Sequence, residues 1–338
     1  MSDGTGTTWT CYDAATMSAR EIYGRVLAEM GKTNDKIVGL SADLAKSTAI
    51  SFFEKAHPDR FFNVGIAEQN LMGLAAGMAK MGLIPFASTF AVFASMRAAE
   101  QVRTDICYQN LPVKIIATHG GISFGAAGTT HHCTEDIAIM RSFANMTVIV
   151  PADGTETANA VRACIDIPGP VYIRIGRGFE PPYYESEDYG FKIGKAHLAR
   201  EGSDLTIIAC GIGVLQSVEA ARTLEETDGL SVRVINMHTI KPIDTEAIMK
   251  AVLETRRIIT VEDHNILGGL GSAVADVIAE SGKGCAFRKL GLPDIYSEVG
   301  YPEDLYAYYR LDANGIVDTI REVMKLEYEA DEDWEDEV

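Results

Sequence analysis

The strongest restriction on the fold is a set of short, β-branched runs that do not alternate apolar with polar residues: 36–40, 113–118, 146–150, 171–175, 205–209, 231–235 and 257–261. An alternating strand has one wet face; a strand that is apolar nearly throughout is covered on both. Such strands belong to a parallel sheet with crossover helices on each side. Helix-like segments lie between them here. Ser18-x-x-Glu21 is a capping box, followed by the apolar stripe Ile22, Val26, Leu27 and Met30 and closed by Gly31. Further along, 60–64 and 85–89 read as strands, and 67–80 and 90–108 as helices. Between 177 and 195 the pattern lapses into Pro181-Pro182-Tyr183-Tyr184 and a stretch of acids, which reads as a linker. Beyond it, helices are expected at 214–224, 272–280 and 314–324, with another strand at 287–290. The chain has 338 residues, more than one core usually serves. The fold expected is α/β, with two doubly wound, mainly parallel-sheet domains in series: 1–14 an extension, 15–180 the first domain, 181–198 the linker, 199–325 the second domain and 326–338 a tail.

Charge excludes several partners. Thirty Lys and Arg face 48 Asp and Glu, a formal −18, and no basic cluster offers a footprint for a phosphate backbone. Nucleic acid and anionic membrane are not expected as partners. Eight of the carboxylates lie between Glu327 and Glu337 without a base among them, the composition of a solvated tail; setting them aside brings −18 to −10. No apolar run reaches the roughly 18 residues of a membrane span, and 1–10 has no signal-peptide pattern, so a cytoplasmic location is expected. The six cysteines are scattered with no C-x-x-C pair, which suggests neither a disulfide framework nor a zinc ribbon.

Chemistry-bearing residues gather after the strands. In the second domain Cys210-Gly211-Ile212-Gly213-Val214-Leu215-Gln216 sits where a dinucleotide-binding turn would. Gln216 replaces the third glycine, and Asn236-Met237-His238 ends the next strand without the acid that would hold a ribose. A close-packed turn fits better than a nicotinamide site. Gly268-Gly269-Leu270-Gly271, after Glu262-Asp263-His264, is either an anion site at a helix start or another such turn. In the first domain Asn63-Val64-Gly65-Ile66-Ala67-Glu68-Gln69-Asn70 puts Glu68 at a helix start directly after a strand, as a catalyst or as a partner of the helix dipole. Thr118-His119-Gly120-Gly121 and Gly125-Ala126-Ala127-Gly128-Thr129-Thr130-His131-His132 place three histidines on glycine-rich stretches. Without a second ligand cluster these suit hydrogen bonding or proton transfer better than zinc. Phe90 and Phe93, one turn apart, would ordinarily be core.

Taken in order, Ser41-Ala42-Asp43-Leu44, Gly65-Ile66-Ala67-Glu68-Gln69-Asn70, Ser88-Thr89-Phe90-Ala91-Val92-Phe93, Ala117-Thr118-His119, Gly128-Thr129-Thr130-His131 and Asn145-Met146-Thr147-Val148-Ile149-Val150-Pro151-Ala152-Asp153 resemble the transketolases. The likeness is greatest to the C-terminal subunit of the split, two-gene members, and it runs from about 17 to 325. It implies a thiamine diphosphate enzyme moving a two-carbon ketol unit from a ketose phosphate to an aldose, with 15–180 the pyrimidine-binding domain and 199–325 the C-terminal domain. In the family a glutamate matching Glu68 hydrogen-bonds the aminopyrimidine and should be buried. The stacking phenylalanine falls on Phe93 with Phe90 beside it, and Asp43 matches an aspartate near the thiazolium. Phosphate-holding groups fall on Arg20, Ser47, His119 and Arg177, and the histidine near the substrate hydroxyls on His131; Glu68, His119 and His131 would be the catalytic set.

Two departures qualify that resemblance. The family's Gly-Asp-Gly motif for Mg²⁺ and diphosphate, followed 25–30 residues on by Asn, does not occur; Ala152-Asp153-Gly154 is the nearest string. The Mg²⁺ would then be held by an N-terminal, diphosphate-binding partner subunit, most simply in an α2β2 assembly, and no metal ligand is expected in this chain. Ala126-Ala127 also stands where many transketolases carry an acidic pair. Competing readings are the β subunit of a 2-oxo-acid dehydrogenase, a deoxyxylulose-phosphate-synthase-like enzyme, an NAD oxidoreductase and a non-catalytic regulatory subunit. His119, His131 and the phosphate set favour the sugar reading, and Glu68 speaks against a degenerate subunit.

Overall fold

The computed structural model describes residues 11–178 and 180–326. Residues 1–10 of the expected extension and the acidic run from Glu327 to Glu337 lie outside them. Six strands of the first half, β1 (Ile37–Ser41), β2 (Phe61–Asn63), β3 (Ile84–Phe90), β4 (Lys114–Thr118), β5 (Thr147–Ile149) and β6 (Val171–Arg174), pair in parallel in the order β5-β6-β4-β3-β1-β2. Every residue of β1, β4 and β6 is buried, which is what strands without alternation require. Helices Ala19–Thr33 and Gly154–Ala163 cover one face through Ile22, Val26, Leu27, Ala158 and Val161. Leu71, Met72 and Ala75 of Glu68–Lys80 pack on the other. The first helix starts as expected, with Glu21 Oε2 accepting from the Ser18 amide at 3.1 Å and its hydroxyl at 2.8 Å.

The second half builds a five-stranded sheet from β7 (His197–Arg200), β8 (Leu205–Ala209), β9 (Val232–Asn236), β11 (Arg257–Asn265) and β12 (Ala286–Leu292), in the order β12-β11-β8-β9-β7 and parallel except at β7. Helices Gly213–Asp228, Leu270–Ser281 and Ala313–Val323 flank it. Both halves are thus mainly parallel α/β units, as the sequence indicates.

Three features depart from the sequence expectation. The 90–108 segment is not one α-helix: wide π turns at Phe93–Arg97 and Val102–Cys107 flank the short helix Ala99–Gln101. Such turns add a residue per turn and often mark functional sites. The expected linker is packed, with Tyr184 stacked on Tyr189 at 3.8 Å and the backbone tied back through Asp153, whose Oδ2 accepts the amides of Tyr183 and Tyr184. Prolines and acids there mark irregular backbone, and the tyrosines bury it. Finally β10 (Thr239–Lys241), from beyond the linker, adds antiparallel to β5 and makes the first sheet seven-stranded.

The two halves therefore interlock. Their interface holds a buried ion pair, Arg174 Nε to Asp136 Oδ2 at 2.9 Å, and Arg174 Nη2 also donates to the carbonyls of Cys133 and Asp263. Removing one partner of such a pair costs about 3–5 kcal/mol because the other is left charged and dry. No helix among the described residues is long and apolar enough to cross a membrane.

Candidate active site

Parallel α/β sheets bind ligands beyond the carboxyl ends of their strands, and this chain puts its chemistry there strand by strand. In the sheet order β6-β4-β3-β1-β2, the ends lead to Arg177, His119, Phe90 with Phe93, Asp43 and Glu68. At about 4.8 Å per strand that edge spans roughly 19 Å, enough for a phosphorylated sugar and a heterocycle laid end to end.

Glu68 opens helix Glu68–Lys80 and is buried, with 1% of its side chain exposed. A carboxylate so placed needs a partner. It has one in Arg97, whose Nη1 donates to Oε2 at 2.8 Å while 47% of the arginine side chain stays in solvent. The same guanidinium lies over the Phe93 ring at 4.1 Å. Phe93 stacks on Phe90, centroids 5.7 Å apart at 22°. A buried acid beside a flat apolar wall results, held on one open side by a cation that a ligand can reach.

The histidines stand against the same aromatic group. His119 directly follows β4 with φ 62°, a left-handed conformation uncommon for a residue with a side chain. Its ring lies 3.9 Å from that of Phe90, and Thr118 Oγ1 is 2.8 Å from its Nδ1. Burial first, then the charges of Arg20, Arg177 and His131, push its pKa down to about 3. That shift favours the neutral ring, which offers a hydrogen-bonding nitrogen to the edge. His131 reaches the wall from the glycine-rich loop, 5.6 Å from Phe93 and edge-on, with Thr130 Oγ1 2.9 Å from its Nδ1. His132, its neighbour, is buried and faces away, between Gly125 O and Ser297 Oγ.

Arg20, Ser47 and Arg177 also converge, although not as free donors. Arg20 Nε donates to the Arg177 carbonyl at 3.0 Å and its Nη1 to the Ser47 carbonyl at 2.8 Å. Ser47 enters through its backbone. Arg177 is exposed, with its guanidinium 5.0 Å above Phe124. Asp43 is exposed at φ 59° at the end of β1, fixed by Asn63, whose Oδ1 accepts its amide at 2.9 Å. Ala126 and Ala127 lie in the short turn Gly125–Ala127 and bring no carboxylate to it.

Sequence reasoning missed two members. Arg97 is four residues beyond Phe93, but its relation to Glu68 crosses between elements. Phe124 touches the rings of Phe90, His119 and His131; a lone aromatic between Ser123 and Gly125 was the available signal. The second-domain glycine turns are closed. Glu262 Oε2 and Oε1 accept the amides of Leu270 and Gly271 at 2.7 and 2.8 Å, so the helix start at Gly269 already has its acceptor. A Cβ on Gly213 would come within 3.0 Å of Val261, the close packing that turn exists to allow. Among the described residues no group of three or more His, Cys, Asp or Glu is placed to hold a metal ion.

Comparison with known proteins identifies both halves of the chain. Residues 15–180 match the family model for the transketolase pyrimidine binding domain, and 194–316 that for the transketolase C-terminal domain. A chain named as a putative transketolase C-terminal section from Methanocaldococcus jannaschii is 46% identical over 309 residues, 91% of this chain and 96% of that one. One of the subunits of the apulose-4-phosphate transketolase of Phocaeicola vulgatus is 39% identical over 91% of this chain and 98% of its own. A solved structure described as a split gene transketolase, inactive beta4 tetramer, superposes with a TM-score of 0.83 at 45% identity, over 92% of this chain and 99% of that one.

Proposed function

The chain belongs to the transketolase family as the C-terminal part of a split enzyme, and from that premise we propose that it is the pyrimidine-binding half of a two-chain ketol transferase. The observation that carries this is the meeting, at one sheet edge, of the buried Glu68 carboxylate, the Phe90–Phe93 wall and His131, with His119 against Phe90 and Arg20 and Arg177 beyond it.

These residues fit thiamine diphosphate. A buried carboxylate can accept from a ring N–H of an aminopyrimidine, and a phenylalanine face can stack on it. When bound, that cofactor supplies the carbon nucleophile and electron sink that cleavage beside a ketose carbonyl needs. Glu68 would hold a proton on the pyrimidine ring nitrogen, and Arg97 would have to give up or share its contact with the acid. Phe93 and Phe90 would fix the ring plane and keep water from one face. His131, its Nδ1 committed to Thr130, would offer its other nitrogen to substrate hydroxyls. His119 would hydrogen-bond the sugar phosphate, and Arg177 and Arg20 would supply its charge. Asp43 would stand at the thiazolium end.

No Gly-Asp-Gly motif is present for Mg²⁺ and the diphosphate. We assign that end of the cofactor to a diphosphate-binding partner subunit, in an α2β2 assembly, and place the enzyme among sugar phosphates in the cytoplasm. A related split-gene chain described as an inactive tetramer of β subunits supports this division. The test is to express the chain alone and together with the Gly-Asp-Gly-bearing subunit, and to assay ketol transfer from xylulose 5-phosphate with thiamine diphosphate and Mg²⁺. Transfer by the pair and not by the chain alone is expected. Full activity from the single chain, or pyruvate decarboxylation in place of ketol transfer, would overturn the proposal.

A further inference from the structure

The loop that carries Phe124 and His131 is fastened at its base by its own backbone, Gly121 and Cys133 exchanging two hydrogen bonds of 2.9 Å. Its outer turn carries local backbone bonds, among them His131 N to Gly128 O at 2.9 Å and Gly125 N to Ile122 O at 2.9 Å. Side chains fasten that turn to the second domain as well. Thr129 Oγ1 donates to the Ser297 carbonyl at 2.9 Å, and the Ser297 hydroxyl meets His132 Nδ1. The other ring nitrogen of His132 faces the Gly125 carbonyl at 2.9 Å. A nitrogen facing a carbonyl must carry the proton, so Nε2 donates and Nδ1 accepts from Ser297. Burial holds the His132 pKa below the usual histidine range and so favours this neutral form, with both nitrogens engaged. It is a strut. The turn is also pressed close: a Cβ on Gly125 would lie 2.5 Å from the Gly300 carbonyl, and one on Gly121 1.9 Å from Asp263 Oδ2. Asp263 Oδ1 in turn accepts the Ile122 amide at 3.1 Å.

We propose that Ser297 is a positioning residue for the reaction: through His132 and Thr129 it sets the turn that points His131 at the Phe93 wall, so the C-terminal domain takes part in the active site. Adjacent residues in a tight turn cannot rotate independently, and a small displacement of a group that must meet a reacting atom lowers the rate steeply. The inference rests on the ketol-transfer reading for its kinetic arm only.

The experiment compares Ser297→Ala and Ser297→Thr with wild type in the assembled two-chain enzyme. Ser297→Ala is expected to lower kcat about tenfold while the KM of the phosphorylated donor and the Kd of thiamine diphosphate stay within about twofold; Ser297→Thr, which keeps the hydroxyl, restores most of it. In a His131→Ala background Ser297→Ala should add little, since the residue it positions is gone. Hydrogen exchange of residues 119–133 is read in the same variants without substrate, and faster exchange is expected in Ser297→Ala alone. Unchanged exchange, unchanged kcat, or a loss that multiplies in full with that of His131→Ala would overturn the proposal. Faster exchange in Ser297→Ala, with a wild-type pair that transfers no ketol unit, would uphold the clasp and remove the ketol-transfer reading instead.

Discussion

Each domain buries a glutamate at a helix start, Glu68 as the first residue of its own helix and Glu262 reaching from strand β11 to the helix at Leu270, and the two have opposite surroundings. Glu262 is closed in by the chain itself: two backbone amides fill its oxygens, and a Cβ on Gly269 would lie 2.1 Å from Oε2. Glu68 is equally buried, yet the side chain that meets it is a half-exposed arginine lying on an aromatic face. A carboxylate satisfied by rigid backbone has finished its work on folding. One satisfied by a movable side chain at a cleft can exchange that partner for a ligand. Position at a helix start does not separate structure from function; the mobility of the hydrogen-bond partner does.

Glu68→Gln challenges this contrast most directly. In the assembled enzyme it should reduce ketol transfer by about 10²–10⁴-fold, the range of a lost proton-holding group, with the melting temperature nearly unchanged. Near-normal turnover in the steady-state assay would reduce Glu68 to a second Glu262. Phe93→Ala removes the wall beside it and should raise the Kd of thiamine diphosphate about fivefold, measured by calorimetry, given about 1 kcal/mol for an aromatic pair; an unchanged Kd would put the stacking surface elsewhere. Glu262→Gln should do the reverse of Glu68→Gln. We expect a destabilisation of about 1–3 kcal/mol, since an amide cannot accept on both sides, with cofactor affinity kept in a titration of the folded protein.

The smallest effect concerns pH. Burial raises the Glu262 pKa from 4.5 to about 7. The folded state then binds the proton more tightly than the unfolded one, so this stabilisation is complete below pH 4.5 and is lost as pH rises through 7. Glu156 and Asp263 shift the same way. Urea midpoints measured across about pH 5–8 should fall more steeply in wild type than in Glu262→Gln, and parallel slopes would contradict the assignment.

Much of the site is legible in local order. Glu68, Phe93, His119 and Asp43 each follow a strand end, so the pattern of runs and turns already places them on one edge. The strands themselves are visible because buried parallel strands need no alternation. What cannot be read depends on contacts between distant segments: Arg97 and Glu68 are 29 residues apart, and Ser297 and His132 are 165 apart. Phe124 has only its oddity among glycines to mark it. The π turns after Phe93 escape detection because their apolar positions still fit a helix, and β10 escapes because three residues carry too little pattern to register as a strand. Arg20 and Ser47 do share one neighbourhood, but how much of their hydrogen-bonding capacity is already spent emerges only in three dimensions.

The strand β10 also sets an order of events during synthesis. Residues 15–180 leave the ribosome first, with the free edge of β5 uncovered until residues 239–241 follow. At about 5–20 residues per second that interval of roughly 60 residues lasts several seconds. For that time the nascent first domain carries an open strand edge, the kind of surface that pairs with other chains. Stopping translation in the packed 181–198 segment would release a polypeptide with its β5 edge unpaired. Exchanging second domains between relatives would have the same effect unless the strand moves with its own seam.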